Sequence, residues 1–337
     1  MSVPYGETVV TANGDAGAEQ AGRPTLTAAL GAACISSSAI LVTLAHQGAA
    51  TTAFFRCVLA LPVLVVLAVL EQRRLGPRPL ASRLYAILAG LFLAVDLVLW
   101  NHAISDVGAG VATVLGNLQV LFVAVLAWLV LKERPHRRYF VMLPVVLTGV
   151  VLVSGMTGGG AVGQHPVAGI GYGVATSAAY AVFLLILRQT SGHTPHVAGQ
   201  LADATAGAAV GSGLMGLAFG GLTLDVPWPS FRWLLALALL SGVVGWLLIT
   251  SSLPRLPAAM SSLMLLLQPA GSLVLADVVL GERPSLTQLA GAVLVCAGVL
   301  AVTWVRSPQQ RADAAGRQRV MAADASGQAC TANSTYP

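Results

Sequence analysis

The stretch that decides the fold runs from Gly108 to Pro135 and reads GAGVATVLGNLQVLFVAVLAWLVLKERP. About 24 uncharged residues, enough for one helix across a lipid bilayer, precede a short charged segment. A second stretch, from Pro257 to Pro284, reads PAAMSSLMLLLQPAGSLVLADVVLGERP and matches the first at 11 of 28 positions when shifted by 149 residues. A self-match over so long a period indicates an internal duplication and predicts two copies of one membrane unit.

The composition is that of a polytopic membrane protein. Hydrophobic residues make up 56% of the chain and charged residues only 9%, which excludes an ordinary soluble protein. The net charge of +5 does not indicate a nucleic-acid partner, because the basic residues collect in loops between apolar segments. The four cysteines and six histidines lack the spacing of a metal site, so no metal and no cofactor are expected.

The apolar segments predict an all-α membrane protein with ten transmembrane helices. The predicted spans are 26–45, 49–70, 82–102, 107–131, 137–155, 167–188, 196–220, 231–252, 256–280 and 286–305. Residues 26–155 form the first five-helix repeat, 156–166 a linker and 167–305 the second repeat. Residues 1–25 and 306–337 are polar, and we expect a disordered cytoplasmic leader and a disordered cytoplasmic tail.

The distribution of basic residues predicts the orientation. With the N-terminus inside, 15 of the 18 Lys and Arg residues fall on the cytoplasmic side. We therefore expect both termini in the cytoplasm and the protein in the inner or plasma membrane. Because each repeat has an odd number of spans, the second repeat must enter from the opposite side. The repeats are therefore expected to be inverted, an arrangement typical of secondary transporters with a substrate site near the midplane. The alternative is a duplication retained for fold stability alone.

Several segments resemble the EamA-type ten-span transporters of the drug/metabolite transporter superfamily. They are Phe54-Phe55-Arg56, the stretch from Ala109 to Pro135 ending in LKERP, the stretch from Leu256 to Pro284 ending in LGERP, and the last span with Ala290-Gly291-Ala292 and Gly298. The resemblance implies a proton- or gradient-driven carrier, usually an exporter, of small metabolites such as amino acids, or of drugs. It implies no enzymatic activity. Thr205 occupies the position in the second repeat that Arg56 has in the first, so a role of that arginine is not duplicated.

Polar residues at membrane depth are the candidates for a substrate site, because each is costly in lipid without a cavity or a partner. Gln119 and Gln268 are repeat mates near the midplane, and Pro269 frees a backbone carbonyl beside Gln268. Asn117 is a neighbouring candidate. The alternative for the glutamines is a structural role as hydrogen-bonding contacts between helices. Tyr180 and Trp246 lie in the middle of spans six and eight, and we add them to the expected cavity lining.

Charged residues within the spans are the candidates for gating and ion coupling. Arg56 and Asp96 lie at equal depth and could form an ion pair, which would be either structural or part of a gate. Trp100 shares a face with Asp96 and would either cap the cavity or lie in the interfacial aromatic belt. Asp203 either carries a proton as an unpaired carboxylate, or it reaches the inner interface or pairs with Arg188 or Arg255. Coupling to protons through Asp96 or Asp203 is the resulting hypothesis.

The two Glu-Arg-Pro segments, at Glu133 and Glu282, are interpreted as structural starts of the helices that follow them. The function expected from these observations is a secondary active transporter that exports a small molecule by alternating access. Its partners are the lipid bilayer, a small-molecule substrate and protons as the coupling ion. Two rivals remain open at this point: an intramembrane enzyme, which would need a Ser–His pair or a metal set at membrane depth, and a receptor or assembly partner that transports nothing.

Overall fold

The computed structural model describes residues 26–132, 137–153, 165–191, 196–252 and 258–303. Within these residues the chain forms ten helical segments and no strand. They are α1 (Leu26–Ala45), α2 (Ala49–Leu75), α3 (Leu80–Val107), α4 (Ala109–Leu131), α5 (Arg137–Val153), α6 (Pro166–Ser191), α7 (Val197–Phe219), α8 (Trp228–Ser252), α9 (Ala258–Leu280) and α10 (Leu286–Thr303). The leader, linker, tail and first Glu-Arg-Pro segment lie largely or wholly outside the described residues.

Seven of these helices are long and apolar enough to cross a membrane, and three shorter apolar helices lie in α5, α9 and α10. Each helix follows one apolar run, because a helix satisfies its own backbone hydrogen bonds in lipid. The turn between α3 and α4 is a single glycine, Gly108, whose φ of +86° is accessible to glycine without strain.

Four helices depart from regular α geometry in their interiors. A turn at Ser37 interrupts α1, and a turn at Asn117 and Leu118 divides α4 into Ala109–Gly116 and Gln119–Leu131. Residues Leu237–Gly245 of α8 and Ala276–Leu280 of α9 are π-helical, a geometry that often occurs at functional sites. Such breaks free backbone groups and re-aim side chains inside the bundle.

Helices of the two repeats pack against each other in antiparallel pairs. In the α2–α7 pair, Gly216 lies against Ala50 and Gly213 against Phe54, whereas Glu71 lies against the first residues of α7. Residue numbers therefore increase along α2 in the direction in which they decrease along α7, so the two helices are antiparallel. The many small residues of α7 permit this close approach, as in other membrane bundles.

The α5–α10 pair shows the relation between the repeats most directly. A Cβ on Gly149 would lie 2.9 Å from Val295, and Gly298 is in the equivalent contact with Val146. Adding 149 to the number of Gly149 and subtracting 149 from that of Val295 gives Gly298 and Val146, so each contact is the other with the two repeats exchanged. Such an exchange is the signature of a two-fold relation. Gln288 at the start of α10 donates to the carbonyl of Val153 at the end of α5, 3.3 Å away, so this pair is also antiparallel.

Candidate functional site

A narrow cavity lies between the two repeats, about halfway along the helices that surround it. The lining residues come from α2, α3, α6, α7 and α8: Arg56, Cys57, Ala60, Leu93, Leu97, Phe183, Leu201, Thr205, Gly242 and Trp246. Three pairs in this set are repeat mates separated by 149 residues, namely Arg56 with Thr205, Leu93 with Gly242 and Leu97 with Trp246. A cavity lined by mates from both repeats lies on the pseudo-two-fold axis that relates them.

Arg56 supplies the one charged side chain in this lining. Its Nη2 donates to the Oγ of Ser241 at 3.3 Å, in the π-helical part of α8, and its guanidinium lies over the Trp100 ring at 5.9 Å from the ring centroid. A cation over an aromatic face is stabilised by the ring quadrupole. The second repeat presents Thr205, an uncharged hydroxyl, at the equivalent place, so the cavity is electrostatically asymmetric.

Asp96 is buried in α3, but it does not form the ion pair with Arg56 that its depth suggested. Its Oδ1 accepts a hydrogen bond from the Oγ1 of Thr176 at 2.8 Å, and the same hydroxyl lies 2.6 Å from the Asp96 carbonyl oxygen. Among the described residues, the ion pairs found are those of Asp203 with Arg78 and Arg83. The direct Arg56–Asp96 ion pair that the sequence left possible is therefore not formed, and the carboxylate is engaged by Thr176 of α6 instead.

Three aromatic side chains form a cluster beside the cavity. Tyr180 lies 5.3 Å from Phe183 and 6.4 Å from Trp246, measured between ring centroids, and Phe183 and Trp246 meet edge to face at 6.4 Å. Trp246 and Phe183 line the cavity, whereas Tyr180 supports them. Trp100, half-buried, packs against the core and Arg56. Sequence reasoning missed Phe183 and Ser241, because an apolar ring and a serine in an apolar helix carry no local signal.

The glutamines lie elsewhere. Gln119 begins the second half of α4, and Gln268 precedes the buried Pro269 inside α9; both are half-buried, and neither lines the cavity described above. Asn117 turns back on its own helix, with Nδ2 donating to the Thr113 carbonyl at 2.8 Å. The α4–α9 contact nearby is made by hydroxyls, those of Thr113 and Ser272 at 3.0 Å. A substrate role for Gln119, Gln268 and Asn117 stays a prediction.

Asp203 is paired, and its partners among the described residues are Arg78 and Arg83, whereas the side chains of Arg188 and Arg255 lie outside the described part of the chain. It forms a close ion pair with Arg78, in the loop before α3, and its carboxylate lies 3.6 Å from the Nε of Arg83. The Arg78 and Asp203 side chains are 8% and 13% exposed. Of the two interpretations left open for Asp203, the unpaired carboxylate is therefore wrong and the paired carboxylate is the one observed, with Arg78 in the α2–α3 loop as its close partner.

Two glutamates accept hydrogen bonds from helix N-termini of the opposite repeat. Glu71 of α2 accepts from the backbone N–H groups of Val197, Ala198 and Gly199 at 2.9, 3.2 and 2.7 Å, all in the first turn of α7. Glu282 accepts from Ala109 and Gly110 at 3.1 and 3.4 Å, in the first turn of α4. Unpaired N–H groups and the helix dipole favour an anion there.

The interpreted role of Glu282 is thus structural as expected, but the helix N-terminus that its carboxylate contacts is that of α4 and not that of the helix that follows it. Its repeat mate Glu133 lies outside the described residues. The two contacts are at opposite ends of α3, so they tie the repeats together at both ends of the bundle. At the Glu282 end, Thr51 of α2 also donates to the Gly221 carbonyl at 2.9 Å and accepts from the Thr223 N–H at 2.9 Å.

Comparisons with known proteins agree with this architecture. The model of the EamA-like transporter family matches twice, over residues 23–155 and 167–304. One crystal structure, described only as that of a protein, has 16% sequence identity and a TM-score of 0.57, and the similarity covers 84% of this chain and 97% of that one. At that identity the likeness concerns the fold alone. Among curated proteins none matches the chain. Two copies of the family's unit, occupying most of the sequence, establish that the chain belongs to the EamA-like transporter family.

Proposed function

We propose that this protein is a secondary active transporter that exports a small metabolite or drug by alternating access. It would span the inner or plasma membrane ten times, as two inverted five-helix repeats, with both termini in the cytoplasm. The observation that carries the proposal is the cavity on the repeat axis, lined by three pairs of repeat mates. Transporters built from inverted repeats bind their substrate at such an interface and expose it to each side by rocking one repeat against the other.

The contacts between repeats supply two closures for such a cycle. At one end Glu71 holds the start of α7 and Arg78 holds Asp203. At the other end Glu282 holds the start of α4 and Thr51 holds the α7–α8 loop. These hydrogen bonds and ion pairs are polar and confined to the two ends of the bundle. The set at one end can therefore break, and that end can open, without unpacking the apolar interior. In this conformation both sets are formed, which fits an occluded state.

Asp96 is the carboxylate to which we assign proton coupling. It is buried in α3, one turn from Trp100, which in turn contacts Arg56. A carboxylate at membrane depth can take up a proton on one side of a cycle and release it on the other. Asp203, held by two arginines, is assigned to the closure at the Glu71 end.

Transport in reconstituted vesicles tests the function. The full chain in proteoliposomes is offered radiolabelled candidates, first amino acids and then antibiotics selected by growth of overexpressing cells, with and without an imposed pH gradient. We expect accumulation driven by the gradient, and we expect Asp96→Asn to abolish the gradient dependence while exchange continues. Absence of movement for every candidate that protects cells would refute transport, and movement indifferent to the gradient would refute proton coupling.

The topology has its own test. Single cysteines replace the exposed Arg73 and Arg283 in a background without the native cysteines, and intact cells are treated with a charged maleimide. We expect Arg283→Cys to react from outside and Arg73→Cys only after the membrane is permeabilised. Labelling of both from one side would contradict the inverted arrangement.

A further inference from the structure

A group of exposed arginines lies at the Glu71 end of the bundle, where a short loop joins α2 to α3. Arg73 and Arg74 are exposed in the last turn of α2, and Arg83 is in the first turn of α3 with 53% of its side chain exposed. We call these three residues the basic patch. The sequence contains no acidic residue from 72 to 95, so this part of the surface is positively charged.

The nearby carboxylates leave most of that charge without a partner. Glu71 accepts hydrogen bonds from backbone N–H groups of α7 at 2.7 to 3.2 Å, and Asp203 forms its close ion pair with Arg78. Arg83 is a more distant neighbour of Asp203, with 3.6 Å between its Nε and the carboxylate. The two exposed arginines of α2 belong to neither ion pair found among the described residues. Their guanidinium groups are therefore available to an anion outside the bundle.

An exposed apolar stripe runs along α3, starting beside the basic patch. It consists of Leu80, Leu84, Ile87 and Leu91, which are 69%, 57%, 37% and 37% exposed. Spacings of four, three and four residues place them on one face of the helix, and Arg83 lies beside that face, three residues after Leu80 and four before Ile87. An arginine at the edge of an apolar membrane-facing surface holds its charged group at the level of the lipid headgroups.

A basic patch that continues into an apolar stripe matches the chemistry of an anionic phospholipid. The phosphate of such a lipid accepts paired hydrogen bonds from a guanidinium, and its acyl chains are apolar. Free phosphate uses the patch but gains nothing from the stripe. A zwitterionic lipid contacts the stripe equally well but brings a cationic group to the arginines. The two features together therefore select a lipid with a net negative headgroup.

We propose that the basic patch binds the headgroup of an anionic phospholipid, with an acyl chain along the stripe of α3. The site adjoins the closure at the Glu71 end, because Arg83 also lies near Asp203. It is on the outside of the bundle, so the proposal does not depend on the solute that the cavity accepts.

Two lipids with identical acyl chains test the proposal. Phosphatidylglycerol, an anion, and phosphatidylcholine, a zwitterion, are added separately to the purified full chain in detergent, and the lipid-bound fraction is measured by native mass spectrometry. We expect phosphatidylglycerol to bind at least about 20-fold more tightly, because each arginine near an anionic headgroup contributes roughly 5-fold in affinity. Arg73→Gln combined with Arg74→Gln is expected to weaken phosphatidylglycerol binding about 20-fold and to leave phosphatidylcholine binding unchanged.

The matched control combines Arg232→Gln with Arg283→Gln, which removes two exposed arginines from the Glu282 end and should change neither affinity. Inorganic phosphate in large excess should not displace the lipid. If the double variant of α2 does not fold, Arg74→Gln alone, expected to lose roughly 5-fold, and the two lipids on the wild type still decide. Equal or absent binding of the two lipids, undiminished binding by the α2 variants, an equal loss in the control or displacement by phosphate overturns the proposal.

Discussion

Removal of the Glu71 carboxylate should weaken the contact between the repeats at one end of the bundle. The carboxylate accepts from three backbone N–H groups of α7, at 2.7 to 3.2 Å, across 126 to 128 residues of chain. Loss of an N-terminal cap costs about 0.5–2 kcal/mol, and loss of a negative charge at a helix N-terminus about 0.3–1 kcal/mol more. Ala198 and Gly199 are buried, so water can replace the lost acceptor only in part. We therefore expect Glu71→Ala to lower the free energy of unfolding by about 1–3 kcal/mol.

The assay is reversible unfolding of the purified protein in mixed micelles by titration with SDS, followed by helix content. Glu71→Gln keeps an oxygen acceptor but loses the charge, so its effect should fall between wild type and Glu71→Ala. Asp225→Asn is the matched control, because it removes an exposed carboxylate from the loop before α8. An unfolding free energy of Glu71→Ala equal to that of Asp225→Asn would refute the argument that this carboxylate joins the repeats.

Three further predictions concern contacts elsewhere in the bundle. Arg78→Ala and Asp203→Asn should each destabilise the protein by about 3–5 kcal/mol, because each leaves a buried charge or polar group without its main partner. The double variant should lose less unfolding free energy than the sum of the two single variants, and a double-mutant cycle with no coupling would contradict the ion pair. Gly291→Leu should disrupt the α5–α10 contact, since even a Cβ there would lie 2.6 Å from the Gly149 carbonyl oxygen. The control Val293→Leu, on the exposed face of α10, should be tolerated. Thermal unfolding in detergent compares the two variants, and equal melting temperatures would be inconsistent with this packing. Glu282→Gln should lower the unfolding free energy by less than Glu71→Ala does, because it keeps an acceptor oxygen and only two N–H groups depend on it; an equal or larger loss in the SDS titration would contradict this ranking.

The positions of the helices could be predicted from the sequence because they depend on the transfer of apolar runs into lipid. The ten predicted segments and the ten helices differ by a few residues at their ends. The largest differences are in α2 and α3, which continue past their predicted ends to Leu75 and Val107. The α2 extension has a clear structural role. That extension is polar and carries Glu71, the residue that reaches α7. Hydropathy could not find it, because a helix continues into water wherever tertiary contacts support it.

The duplication was likewise visible in the sequence, and with it the equivalence of Arg56 and Thr205. The cavity lined by both could not be predicted, because it depends on how α2, α3, α6, α7 and α8 pack around the axis. The polar candidates show the same limit. Arg56 was identified by its charge, but its contact with Ser241 crosses 185 residues and the π-helical part of α8.

The sequence by itself determined which segments are helical and apolar, that they occur in two related copies, and which charged side chains lie within the helices. Those properties follow from local composition and from the cost of exposing polar groups to lipid. Only the tertiary structure decided the partners: Thr176 for Asp96, Arg78 for Asp203 and the start of α7 for Glu71. Partner choice depends on the rotation and crossing of helices far apart in the chain, and many such arrangements bury the same apolar faces equally well.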